Sequence, residues 1–440
     1  MSDAPLTHDP LEEDSLARDV AELIRIPSIT GTRAESQLQH HLADRLRQLG
    51  CNVDLWQIDL PTITSDPQFP GMEAERSEAW GLVGELTPPA HVVAVQEPNV
   101  LATNVQPDDA PTVILNGHVD VVPPGDRGLW SQDPFDPRDA AGPDGRRAVF
   151  GRGACDMKGG LVAILAALKV LRQNGYPRRG RVLVQFVVGE EDGGLGTFAT
   201  LRRGHLGSVA LIPEPTSCAI VPAAAGALTF RLTVPGLSAH GSSRLDGVSA
   251  LEALWPVWQA LRELEARRNA DPGPLFDGIA MPFGLSIGTV RAGDWASTVP
   301  DKLVAEGRYG VRLGEDVDEA RRALMDAVAA ACSRDPWLSG HPATVEFFGG
   351  QFASASTPVD HPLVQALSTA HWRSSGGGMA ATHGVPAGTD LRLLAAAGIP
   401  GAHYGPGSLR RAHAPDEFVP VADVAQTARV LVDVVSQYCG

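Results

Sequence analysis

Apolar residues recur at three- and four-residue spacing through the first fifty positions: Leu16, Val20, Leu23 and Ile24, then Leu38, Leu42, Leu46 and Leu49. That spacing puts each set on one face of a helix, so helices are expected over 12–25 and 35–49, joined by a Pro-Ser-Ile-Thr-Gly turn. A run rich in Pro and Asp follows from 61 to 78, and then short apolar runs predict strands at 90–95 and 112–116. The second of these, Thr-Val-Ile-Leu-Asn, is too uniformly apolar for a half-exposed strand and suits a central strand covered on both faces. Beyond a loop heavy in Pro, Gly and Asp (123–146), the pattern predicts a helix over 161–173, a strand over 181–188, a short helix, and a strand over 208–212. Strands alternating with helices imply an α/β fold with a parallel or mixed central sheet flanked by helices. In such sheets chemistry collects just past the strand ends.

Near residue 226 the pattern changes. An alternating strand over 229–234, a helix over 247–267, strands over 284–291 and 302–312, a helix over 317–333 and a strand over 344–348 follow in β-α-β-β-α-β order. That order fits a four-stranded antiparallel sheet with two helices on one face, a unit able to fold by itself. The expected organisation is therefore a first domain over 1–226, an inserted α+β domain over 227–350, and completion of the first domain by 351–440. A chain of 440 residues is in any case too long for one ordinary core.

Composition narrows the function classes. With 43% hydrophobic and 20% charged residues, there is ample material for globular cores. The formal charge is −16, and no run of basic residues is longer than doublets such as Arg202-Arg203 and Arg410-Arg411. A polyanionic nucleic acid or an anionic membrane surface would meet a repelling field, so neither is expected as a partner. The five cysteines are scattered, with no Cys-x-x-Cys spacing, and are expected to be reduced thiols. No apolar run approaches the length of a membrane span and the first ten residues carry no basic or apolar stretch, so a cytoplasmic protein is expected.

Ligand-type residues sit where the predicted strands end. The strand through Leu115 runs into Asn116-Gly117-His118-Val119-Asp120, an imidazole with a carboxylate two positions on that could orient it. The strand through Val188 continues as Gly189-Glu190-Glu191-Asp192-Gly193-Gly194, three adjacent carboxylates whose repulsion a cation would offset. The strand through Ile212 delivers Glu214 between two prolines. Asp156 precedes a helix in Gly151-Arg152-Gly153-Ala154-Cys155-Asp156-Met157-Lys158-Gly159-Gly160, and His413 lies in a C-terminal loop. Each feature alone is common in proteins with no metal. Together they bring two histidines and several carboxylates to one sheet edge, a donor set that suits catalytic zinc.

In these stretches, and in Trp130 to Phe135, Gly236 to Ser242, Gly388-Thr389-Asp390 and His413 to Glu417, the chain resembles a metallohydrolase family. That family contains aminoacylase, acetylornithine deacetylase, succinyl-diaminopimelate desuccinylase and glutamate carboxypeptidase. The matching stretches follow the family's order from 110 to 420. The resemblance implies a zinc-exopeptidase type of sheet with an inserted dimerisation or lid domain. It also implies two zinc ions per subunit, with cobalt or manganese as alternatives: His118 and Glu214 on one, Glu191 and His413 on the other, Asp156 bridging. Glu190 would be general base and Asp120 the orienter of His118. His240 matches a histidine that in dimeric relatives reaches the partner's site to bind the substrate carbonyl, which implies a homodimer.

For the substrate, Arg392 matches a position that pairs with a carboxylate in some relatives, and a guanidinium fork suits that target. Arg308 and Arg312 in the inserted domain are further candidates. Where several relatives carry Asn before Pro, this chain reads Ser297-Thr298-Val299-Pro300, a departure at the position of one substrate contact that the resemblance would otherwise imply. Glu rather than Asp at 214 leans toward deacylases and carboxypeptidases. The expected activity is hydrolysis of an N-acyl amino acid as in acetylornithine deacetylase, with desuccinylase- or glutamate carboxypeptidase-like cleavage of a short peptide as the alternative. A member of the fold that had lost catalysis would be expected to lack a ligand or the base, and none is lacking.

Overall fold

In the computed structural model, residues 9–88 and 110–440 are described; the strand expected at 90–95 lies outside them. The chain forms two compact units, one of Met1–Pro222, Thr357–Thr382 and Leu393–Gly440, the other of Ala223–Ser356 and His383–Arg392. Residues 383–392, read from sequence as part of the C-terminal portion of the first domain, cluster with the second unit.

The first unit is built on a mixed sheet in the order Asn52–Gln57, Trp80–Leu86, Arg181–Val187, Thr112–His118, Val209–Ile212, Gly401–His403, followed by the first residues of Ile220–Ala224. Thr112–His118 pairs in parallel with Arg181–Val187, from Thr112 opposite Arg181 to His118 opposite Val187, and also with Val209–Ile212. Every residue of Thr112–His118 is buried, which is why the run shows no alternation. Helices cover the sheet. Glu13–Ile24 turns Leu16, Val20, Leu23 and Ile24 into the core, and Gly159–Gln173 packs against Val421–Cys439. The parallel alignment of three central strands puts their C-terminal ends side by side, and those ends carry the ligand-type residues.

The second unit is a four-stranded antiparallel sheet in the order Leu285–Ala292, Lys302–Val311, Gly226–Pro235, Thr344–Phe352. Leu228, Phe230, Leu232 and Val234 alternate inward and share a core with Val257, Leu261, Leu264, Leu324 and Val328 of helices Ala250–Arg268 and Val317–Arg334. This is the β-α-β-β-α-β arrangement expected from the pattern. All five cysteines are buried and unpaired with one another. Among the described residues no helix is long and apolar enough to cross a membrane.

Candidate metal centre

Two groups of donors meet in the first unit: His118, Asp156 and Glu214, and Asp156, Glu191 and His413, with the ligand atoms of each group within 4.8 Å of one another. Asp156 belongs to both. Its Oδ1 lies 3.0 Å from His118 Nε2 and its Oδ2 3.5 Å from His413 Nε2. Glu214 Oε1 stands 3.6 Å from His118 Nε2, and Glu191 Oε1 3.1 Å from His413 Nε2. Strand ends deliver His118, Glu191 and Glu214, the turn before helix Gly159–Gln173 delivers Asp156, and a C-terminal loop delivers His413. His413 is held in the left-handed region at φ 61°, uncommon for a residue with a side chain, while Arg152 donates to its carbonyl at 3.2 Å.

The protonation of His118 follows from its neighbours. Nδ1 is 2.9 Å from the backbone carbonyl of Asp120, which can only accept, so Nδ1 carries a hydrogen; Nε2 donates to Asp156 Oδ1 at 3.0 Å and faces Glu214, and is the atom that would give up its proton to a bound cation. The orienting contact expected of the Asp120 carboxylate is thus made by its carbonyl, with the carboxylate at 3.7 Å. That carboxylate instead accepts the backbone N–H of Glu190 at 3.2 Å and of Glu191 at 3.3 Å, and the Thr30 hydroxyl at 3.1 Å.

The electrostatics of the cluster are those of a cation site. Burial alone pulls the His118 imidazole down, yet Glu214, Asp156 and Asp120 outweigh it and raise its pKa well above the ordinary value. Hydrogen bonds to Asp156 and Glu191 push His413 up to about 11. Burial, with the charges of Asp156 and Glu191, lifts Glu214 to about 7, and burial beside Asp156 raises Glu191 as well. Asp156 alone goes down, because the two imidazoles overcome its burial. Four of the five groups therefore hold protons more tightly than usual, and divalent cations would displace those protons. Nitrogen and carboxylate oxygen donors of this kind fit zinc, cobalt or manganese.

The acidic triplet resolves into three separate roles. Glu190 is buried on the turn pinned by Asp120, Glu191 faces His413, and Asp192 turns away to accept from Arg76 at 2.7 and 3.1 Å. A second buried carboxylate, Glu417, was quoted in a motif from sequence but given no role. It accepts the N–H groups of Gly153, Cys155 and Asp156 at 3.1, 3.0 and 3.1 Å and Arg152 Nη1 at 2.6 Å, so it holds the loop that presents Asp156. The signal for it was the Gly151-Arg152-Gly153 run, whose buried N–H groups need an acceptor that the run does not contain.

The remaining candidates belong to the second unit. His240 caps the short helical turn Gly241–Asp246, its Nδ1 accepting the Ser242 N–H at 3.2 Å, and its side chain is exposed. Arg392 is buried, stacked 3.9 Å over the Phe352 ring, and donates to the Thr389 carbonyl at 2.9 Å with Asp390 at 3.7 Å. Arg308 donates to the Pro386 carbonyl at 3.0 Å and makes no ion pair among the described residues, and burial lowers its pKa. Arg312 lies just past its strand, exposed, bracing the Asp271 carbonyl.

The sequence profile of the family described as peptidase family M20/M25/M40 matches residues 114–437. Over 99% of this chain and 96% of the relative, the sequence is 26% identical to an N-formyl-4-amino-5-aminomethyl-2-methylpyrimidine deformylase of Halalkalibacterium halodurans. It is 29% identical to a succinyl-diaminopimelate desuccinylase of Gluconacetobacter diazotrophicus, over 71% of this chain and 78% of that one. In fold it is similar to the dipeptidase Dug1p from Saccharomyces cerevisiae, with a TM-score of 0.73, 14% identity and 98% coverage of both chains.

Proposed function

The chain belongs to peptidase family M20/M25/M40, and on that footing we propose that it hydrolyses the amide bond of small N-acylated amino acids, in the manner of an acetylornithine deacetylase. The observation that carries this reading is the pair of donor groups sharing Asp156, with the Glu190 turn pinned next to one of them by Asp120. His118 and Glu214 would hold one ion, Glu191 and His413 the other, Asp156 both, with zinc the expected metal and cobalt or manganese its alternatives. Two such ions would supply Lewis acidity and a water with its pKa lowered toward about 7.

The chain's own groups do the rest. Glu190 takes the proton of the attacking water and returns it to the leaving amine. His118 would ligate through Nε2, because its Nδ1–H is held by the Asp120 carbonyl. His240 donates to the oxyanion that develops on the substrate carbonyl, contributed across a homodimer formed through the second unit, which would also act as a lid. Arg308, a half-buried cation with no carboxylate partner among the described residues, supports recognition of a substrate carboxylate better than Arg392, whose fork is engaged by Thr389 and stacked on Phe352.

A second reading, deformylation of an N-formyl amine lacking a carboxylate, is favoured by the alignment with the pyrimidine deformylase over nearly the whole chain. A panel of N-acetyl-, N-succinyl- and N-formyl-amino acids, the N-formyl aminomethylpyrimidine and simple dipeptides, assayed with metal-loaded protein, tests the choice. The highest kcat/KM is expected on an N-acyl amino acid. Best turnover of the pyrimidine would favour the second reading, and cleavage of dipeptides alone would sink both.

A further inference from the structure

The acidic turn is gripped from a second side by a segment outside the stretch matched by the family profile. Residues 71–76 lie against it so closely that a Cβ on Gly193 would sit 2.1 Å from the Gly71 carbonyl oxygen, and one on Gly189 2.8 Å from Arg76 Nη2. Both glycines also have positive φ, 149° and 68°, so the turn and the segment are fitted to one another at two points. The Ala74 N–H donates to Asp192 Oδ2 at 2.8 Å. Arg76, its side chain entirely shielded from solvent, forks onto both oxygens of Asp192 and reaches Glu35 Oε1 at 3.3 Å. Glu35 in turn accepts the Gly31 N–H at 2.7 Å, next to Thr30, whose hydroxyl binds the Asp120 carboxylate. The network closes a ring around the turn, from Asp120 on one side to Asp192 on the other.

We propose that Arg76 is a positioning residue: by locking Asp192 in its fork it fixes the pitch of the Glu190–Glu191 turn and decides which carboxylate of the triplet faces Asp156 and His413. A guanidinium is suited to this because its planar fork holds both oxygens of one carboxylate in a defined orientation, which an ammonium cannot do. The inference rests on the reading of Glu191 as a ligand and Glu190 as the base.

Charge and geometry act in opposite directions here, which makes the test decisive. Weakening a positive charge beside a cation site tightens metal binding on Coulombic grounds, whereas losing the pitch of the turn loosens it. Arg76→Lys keeps the charge and loses the fork; Arg76→Gln loses the charge as well, so weaker metal binding in it can only be geometric. Each variant, folded by circular dichroism, is titrated with Zn2+ against a chromophoric chelator, and kcat and KM are measured on the best substrate of the wild-type panel. Both variants are expected to bind the second ion more weakly and to lose kcat, by about 10–100-fold, as supporting groups behind metal ligands do, with KM roughly unchanged. Wild-type or tighter metal binding together with wild-type kcat in both variants would overturn the proposal. The wild-type titration separates the two readings: a protein that binds no ions and turns over nothing fails the functional reading, not the role of Arg76.

Discussion

Glu190, Glu191 and Asp192 are consecutive, chemically alike, and do three different things. What separates them is not residue type but what each meets: the Asp120 carboxylate at the Glu190 and Glu191 amides, His413 at the Glu191 side chain, Arg76 at Asp192. In the proposed mechanism Glu190 moves the proton, so Glu190→Ala is expected to retain two metal ions by elemental analysis while kcat falls on the order of 10²–10⁴. Near-normal turnover in that variant would remove Glu190 from the chemistry. At this scale the sequence pointed to residues that the structure gathers, because strand ends and ligand-type residues coincided at His118, Glu191 and Glu214. It was silent on Arg76, which sits in an aperiodic run among Glu73, Glu75 and Glu78 with nothing to mark which charge turns inward.

Among the elements, the strands and helices that bury a continuous or regularly spaced apolar set were legible, including Thr112–His118, Arg181–Val187 and the whole β-α-β-β-α-β unit. Trp80–Leu86 was not, because its Gly81 and Gly84 break the expected pattern. The structure gives the reason: a Cβ on Gly81 would lie 2.1 Å from the Trp56 ring, and one on Gly84 2.9 Å from Leu46. Strand Arg138–Ala141 was hidden in a loop-like run rich in Pro, Gly and Asp, and it pairs with Arg147–Phe150 in a small separate sheet. The helix Gly159–Gln173 depends on the same kind of close approach, since a Cβ on Gly160 would fall 2.2 Å from the Pro213 carbonyl oxygen. Gly160→Ala gains about 1 kcal/mol of helix propensity but must push the helix away from the strand end that carries Glu214. The expected result is a weaker ion at the His118, Asp156 and Glu214 group, read by chelator competition; unchanged affinity would mean that the strand end is indifferent to the helix.

At the scale of the molecule, all five candidate metal donors lie in the first unit, and among the described residues no such donor group lies in the second. Ion binding at 1,000 times Kd stabilises the state that binds by about 4 kcal/mol per site. Calorimetry with and without chelator is therefore expected to show a first-unit transition that falls on metal removal and a second-unit transition that stays in place. A thermogram unaffected by chelation would count against the site. Substrate choice was the least legible property from sequence, since it depends on which arginines are already engaged. Arg392 stacks on Phe352 beside Asp390, whereas Arg308 binds a backbone carbonyl and has no carboxylate partner among the described residues, a distinction that spacing along the chain does not carry.

The donors of the second group are widely separated in the chain: Glu191 and His413 are 222 positions apart, and the whole of Ala223–Ser356 is threaded between them. A ribosome making this protein therefore finishes the second unit while the first still lacks a ligand and the Glu417 carboxylate that holds the Asp156 loop. Until residues 413–417 emerge, the nascent protein carries an incomplete set of donors, and the proposed hydrolysis would wait for them.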